Sequence, residues 1–196
     1  MHSHSADLAR LLANDLKSNF KLFVLHYQSQ LYAFMLRQTG SLQDAEDIAQ
    51  EAFIQAYYAM VDYPSQRIEM LALQPWLYKI ALNIFYKRLR HNKLQFVALD
   101  TTEDGEHTLI EEDATSQPEL LLEDQESLRE LETLVAGLPV QYREAINLYY
   151  FAELSYREIA DLLNQPMGTV KSNLHRGVQL LRKARNKNKG AKGWTR

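Results

Sequence analysis

Apolar residues recur every three or four positions along most of the chain, the spacing of helices with one buried face, and strand-like alternation is absent. Leu22, Val24, Leu25, Leu31, Phe34, Met35 and Leu36 mark a helix that ends near Gly40, a residue suited to the left-handed turn that closes helices. The next begins at Ser41. In it Ala45, Ile48, Ala49, Ala52, Phe53, Ala56, Tyr57 and Met60 form an apolar stripe, opposite Asp44, Asp47, Gln50, Glu51 and Gln55. Beyond a loop at Tyr63 to Ser65, a third helical stretch follows Pro75. Trp76, Leu77, Ile80, Ala81 and Ile84 are expected to pack inward, while Tyr78, Lys79, Asn83, Phe85, Tyr86, Lys87, Arg88 and Arg90 fill the rest.

Between residues 96 and 124 the pattern lapses, and acids, Thr101, Thr102, Gly105, Ser116 and Pro118 replace periodic apolar positions. That composition predicts a flexible linker. Helical periodicity resumes around Leu120 to Leu134, and Gly137, Leu138 and Pro139 interrupt it before a helix carrying Tyr142, Ala145, Ile146 and Tyr149. The expected fold is all-α, with two small helical domains at residues 1–95 and 125–196 joined by an acidic linker at 96–124.

The last domain contains the most specific local pattern. Ser155 followed by Glu158 is a capping box, in which the hydroxyl accepts from the third helical amide and the carboxylate reaches back to the cap amide. Ile159, Leu162 and Leu163 give that helix one apolar face. Asn164, Gln165 and Pro166 then interrupt it, and Pro166 suits the first turn of a new helix. Met167, Val170, Leu174, Val178 and Leu181 form the second helix's inward stripe. Thr169, Lys171, Ser172, His175, Arg176 and Gln179 project from its other side, a mix suited to phosphate oxygens and base edges. Two helices on a short turn, the second basic outside, outline a helix-turn-helix that binds duplex DNA.

Charge strengthens that reading. The net charge is −3, but residues 99–132 hold one Lys/Arg against thirteen Asp/Glu, and residues 137–196 hold eleven against four. An excess of cations at the C-terminal end favours nucleic acid through counterion release. Residues 1–98, with ten against eight, are nearly balanced. No apolar run approaches the roughly 20 residues that span a bilayer, the N-terminus lacks a signal pattern, and there are no cysteines, so a cytoplasmic protein without membrane insertion is expected. His2 and His4 read as a flexible start. The remaining histidines are scattered, and no HExxH, GxSxG or phosphate-binding glycine loop occurs. Neither catalytic residues, a metal site nor a cofactor is expected.

The chain resembles extracytoplasmic-function (ECF) sigma factors, small members of the sigma-70 family that direct bacterial RNA polymerase to promoters. The resemblance rests on DAEDIAQEAFIQAY at residues 44–57, PWLYKIALN at 75–83 and LSYREIADLLNQPMGTVKS at 154–172, and it extends from about Phe20 to Arg185 in the family's order. It implies that Asp44, Asp47, Gln50 and Glu51, supported by Phe53, Ile54 and Tyr57, dock on the β′ clamp helices of core RNA polymerase. An acidic, amide-bearing face suits a basic coiled coil.

Lys79, Asn83, Phe85, Tyr86, Lys87, Arg88 and Arg90 would by the same resemblance recognise and melt the minus-ten element. Aromatic faces with interleaved cations can hold an unpaired strand. Trp76 reads instead as a core anchor. Thr169, Lys171, Ser172, His175 and Arg176 would reach the minus-thirty-five element, Arg176 foremost. The helix from Tyr142 to Phe151 would meet the β flap, although Ile146 and Leu148 read as core. The acidic linker would follow the polymerase cleft and RNA exit channel. The family also implies an anti-sigma factor as a partner, and a monomer when no partner is bound.

The chain departs from the family pattern at Leu82, where arginine is usual, and at Lys87, where aspartate is frequent. In the reader helix Asn173 replaces a common arginine and Gly177 a common alanine, which is expected to weaken that helix slightly. An ordinary helix-turn-helix regulator is the alternative. It would need neither the acidic docking helix nor the aromatic-basic segment, and it would normally dimerise over paired half-sites.

Overall fold

The computed structural model describes residues 2–98 and 131–192, with side chains described for 5–91 and 131–186. All regular elements among them are helical, and none is long and apolar enough to cross a membrane. The expected linker, and the part of the Leu120 to Leu134 helix before residue 131, lie outside the described residues.

Helix α1 (His2–Asn14) takes in His2 and His4, which the sequence suggested as a flexible start. It contributes Leu8, Ala9 and Leu12 to the core. Asp15 ends the first segment and caps α2 (Leu16–Thr39), its carboxylate accepting from the Ser18 amide at 3.0 Å. At the far end Gly40 takes φ +71° and donates its amide to the Leu36 carbonyl at 2.8 Å, as its sequence position suggested. The buried face of α2 is Phe23, Tyr27, Leu31, Phe34 and Met35, whereas Leu22 and Leu25 point outward.

Ser41 caps α3 (Leu42–Val61) by accepting from the Asp44 amide at 3.2 Å. Its stripe of Ala45, Ile48, Ala49, Ala52, Ala56 and Met60 is buried, and the small alanines let α3 lie close between α2 and α5. A short helix, α4 (Ser65–Glu69), occupies part of the expected loop and buries Ile68 against α1. Helix α5 (Leu73–Ala98) starts two residues before Pro75, which the first helical turn accommodates because its amides lack partners anyway. Leu77, Ala81 and Ile84 pack inward as expected, Trp76 and Ile80 are half-buried, and Tyr78, Leu82 and Phe85 join the core. The expectation that Tyr78 and Phe85 lie on the outer side is therefore corrected. Neighbouring elements cover more of α5 than a single apolar stripe implies.

The C-terminal unit begins with helical residues 131–136, followed by α6 (Val140–Ile146). Helix α6 runs into a π-helical turn at Asn147–Phe151, where the Ala152 amide reaches back five residues to the Asn147 carbonyl at 3.0 Å. Helices α7 (Tyr156–Leu163) and α8 (Met167–Lys192) complete the unit. Gly177 of α8 faces α6: a Cβ there would sit 3.0 Å from Ile146 Cγ1 and 3.4 Å from Tyr142 Cβ. The glycine thus permits close helix packing, which sets a physical benefit against its cost in helix propensity.

Candidate nucleic-acid interface

The capping box forms as the sequence predicts. Glu158 accepts from the Ser155 amide at 2.8 Å, and the Glu158 amide donates to the Ser155 hydroxyl at 3.3 Å. Asn164 closes α7 in the left-handed conformation (φ 52°, ψ 48°), which asparagine tolerates better than most residues. Pro166 precedes α8, its carbonyl accepting from Thr169 at 2.9 Å. Val170 and Leu174 seat α8 on the core, with Val178 and Leu181 packed at its edge. Met167, expected inside, is exposed because the helix begins there, before the stripe reaches α7.

Thr169, Lys171, Ser172, His175 and Arg176 are all exposed on α8. His175 Nε2 and Gln179 Nε2 lie 2.9 Å apart, which positions both side chains on the outer face. The Lys171 ammonium stands 5.5 Å from the Tyr156 ring, itself stacked on Tyr149 at 4.9 Å. A cation over a stacked pair is held near the surface, where it can meet a phosphate. The arrangement is an open, basic helix face with short polar side chains interleaved, able to enter a major groove.

Helix α5 is more constrained. Lys79, Asn83, Lys87 and Arg90 are exposed, but Phe85 is buried, its ring 5.4 Å from that of Tyr86. The Tyr86 hydroxyl donates to Glu144 Oε2 of α6 at 2.8 Å. Burial and the adjacent carboxylate push the Tyr86 hydroxyl far above the ordinary tyrosine range. Burial also raises the Glu144 carboxyl to about 7, although the Tyr86 hydrogen bond favours its ionised form.

Arg88 turns toward α3. Its Nη2 donates to Glu51 Oε2 at 2.9 Å, and its Nη1 lies 3.8 Å from Asp47. On α3 itself Asp44, Asp47, Gln50 and Ile54 are exposed and Glu51 is half-buried. Gln50 donates to Glu46 and Gln55 donates to Glu51. Phe53 and Tyr57 face inward enough to meet Phe23 and Phe20, edge to face at 5.8 Å and 5.0 Å. Tyr58 and Val61, passed over in the sequence, extend the exposed apolar edge begun by Ile54. Their spacing of four and seven from Ile54 was the available signal.

Among the described residues no cluster of His, Asp and Glu could hold a metal ion. The exposed faces of α3, α5 and α8 carry charged and polar side chains. Residues 23–95 match the family model for sigma-70 region 2, and residues 128–181 match that for sigma-70, region 4. The chain is 37% identical over 161 residues to the ECF RNA polymerase sigma factor SigW of Bacillus subtilis, covering 80% of this chain and 83% of the relative. It is 33% identical over 174 residues to the RNA polymerase sigma-H factor of Pseudomonas aeruginosa, covering 86% of each. The sigma factor RpoE from Bartonella quintana, solved in complex with the anti-sigma factor NepR, shares the fold at a TM-score of 0.67 and 22% identity, over 84% of this chain and 95% of that one. With its region 2 and region 4 matches in family order and its sequence likeness to whole ECF factors, this chain belongs to the extracytoplasmic-function group of sigma-70 factors.

Proposed function

We propose that the chain binds core RNA polymerase through α3 and carries it to promoters by reading DNA with α5 and α8. The observation that carries this is the pairing of an open basic face on α8 with an acidic, amide-bearing face on α3. A transcription regulator acting alone has no use for the second. In this reading Asp44, Asp47, Gln50, Glu51 and Ile54 meet the β′ clamp helices, with Phe53 and Tyr57 bracing them from beneath. Lys79, Asn83, Tyr86, Lys87, Arg88 and Arg90 hold the melted minus-ten strand, and Phe85 buttresses Tyr86. Thr169, Lys171, Ser172, His175 and Arg176 take the minus-thirty-five element, while α6 and the π-helical turn meet the β flap. Residues 1–95 then form one domain, 96–124 the linker and 125–196 the other.

The protein works in the cytoplasm, as a subunit that confers specificity and performs no catalysis itself. An anti-sigma factor is its proposed antagonist, supported by the complex in which the Bartonella quintana relative was solved. The test is reconstitution: purified chain is added to core RNA polymerase with promoter DNA selected from a random library. Promoter-dependent transcripts that need both components are expected. Tight duplex binding without any effect on the polymerase would replace this reading with that of a free-standing regulator.

A further inference from the structure

Helix α8 runs on past the part that its packing explains. The region 4 match ends at residue 181, yet the helix continues to Lys192, about three further turns. Val170 and Leu174 are the buried residues of α8, Val178 and Leu181 pack at the edge of the core, and Leu180 is already 37% exposed. Beyond them Arg182, Lys183 and Arg185 are all exposed.

Charge sets this extension apart. Residues 177–196 hold seven Lys/Arg and no Asp/Glu, and α8 carries no acidic residue anywhere along its length. A long solvated helix gains from opposite charges three or four positions apart and loses from like ones. Arg182 and Arg185 are three apart with the same sign, and no ion pair among the described residues engages them or Lys183. A polyanion relieves that repulsion, because its closely spaced phosphates neutralise several cations at once and shed condensed counterions.

Helical register separates the three cations. At about 100° per residue, Lys183 stands seven positions beyond Arg176 and eleven beyond Ser172, and so continues their face. Arg182 stands in the same relation to His175 and Lys171. Arg185 instead follows the inward stripe of Leu174 and Leu181, on the opposite side from Arg176. The first turns of a helix seated in the major groove meet base edges, and its later turns pass the sugar-phosphate rim.

We propose that α8 beyond residue 181 is a second DNA contact, in which Arg182 and Lys183 grip backbone phosphates beside the minus-thirty-five element without regard to base sequence. Its place beside that element rests on the functional reading above; the phosphate-binding surface does not.

The test measures the full chain on two labelled duplexes, one carrying the selected minus-thirty-five element and one scrambled, over a range of salt concentrations. Changing Arg182→Gln and Lys183→Gln together is expected to make the slope of log affinity against log salt shallower by about 1.8, two phosphate contacts at about 0.9 each. Affinity should fall by the same factor on both duplexes, and Arg182→Lys with Lys183→Arg should restore it. Arg185→Gln, which removes a charge from the other side of the helix, should leave the slope at the parent value. An unchanged slope in the double variant would overturn the contact. Equal loss of slope in Arg185→Gln would reduce it to net charge, and weakening confined to the selected duplex would make it a base contact. If the double change instead abolishes binding to phosphatidylglycerol vesicles with the duplex slope intact, the surface belongs to a membrane. If Arg176→Ala leaves the preference between the duplexes intact while the double variant still loses slope, the reading of α8 as a promoter reader fails and the phosphate surface stands.

Discussion

Two helices carry the residues assigned to DNA, and they differ in readiness. On α8 all five candidates are exposed and the helix is seated by its opposite face. On α5 Phe85 is buried, Tyr86 is bonded to Glu144 and Arg88 to Glu51. A face that reads an intact duplex can be built in advance, because the duplex offers its groove edges at all times. A face that captures an unpaired strand has no ligand until melting begins. Its aromatic and cationic groups meanwhile find partners inside the protein.

The contrast can be broken most forcefully on α8. Replacing Arg176 by alanine is expected to lower transcription from the selected promoter by about tenfold or more, the scale of one lost bidentate base contact, with core binding retained. Loss of core binding in a titration with labelled polymerase would reject the assignment. Replacing Asp47 and Gln50 together should weaken core affinity by a comparable or smaller factor while the DNA affinity of α8 stays unchanged. An unaltered core affinity would remove α3 from the docking surface.

A third experiment sharpens the α5 side. Burial raises the Glu144 carboxyl to about 7, against about 4.5 for a solvated glutamate. A raised value means that the fold burying Glu144 is favoured when the carboxyl is protonated. That contribution is complete below 4.5 and is lost as pH rises through 7. Tyr86 of α5 faces it, and burial with the adjacent carboxylate raises that hydroxyl far above this window. Stability in chemical denaturation should therefore fall between about pH 5 and pH 8, and Glu144→Gln should flatten the slope. An identical slope in both chains would assign it elsewhere. The smallest expected effect is local: Ser155→Ala removes a helix cap and should cost about 1 kcal/mol of stability in chemical denaturation, without altering strand binding.

Much of this was legible beforehand where one residue type performs one local task. Ser41, Gly40, Ser155 and Glu158 act within a single helical turn, so their roles follow from position alone. The stripe of α3 was legible because its small residues are buried on one side only. The polar contacts between the two helical units were not. Arg37, Gln38, Glu144 and Asn147 are polar residues whose burial depends on partners up to about a hundred positions away, and periodicity counts such residues as outward-facing. Helix α1 is a different case: Leu8, Ala9 and Leu12 reach the core only because α2 and α4 pack against that helix. Gly177 read as a weakness until Ile146 was seen beneath it.

The π-helical turn at Asn147–Phe151 holds one residue more per turn than the helix it continues. One residue corresponds to about 100° of rotation about a helix axis, so this extra position turns the exit of the chain at Ala152 relative to an unbroken α-helix. Deleting one residue there is expected to regularise the helix and to change where the chain enters α7, while α8 keeps its seat on α6 through Gly177 and Ile146. Backbone winding, and not side-chain chemistry alone, thus helps set the path by which the chain enters the helix-turn-helix.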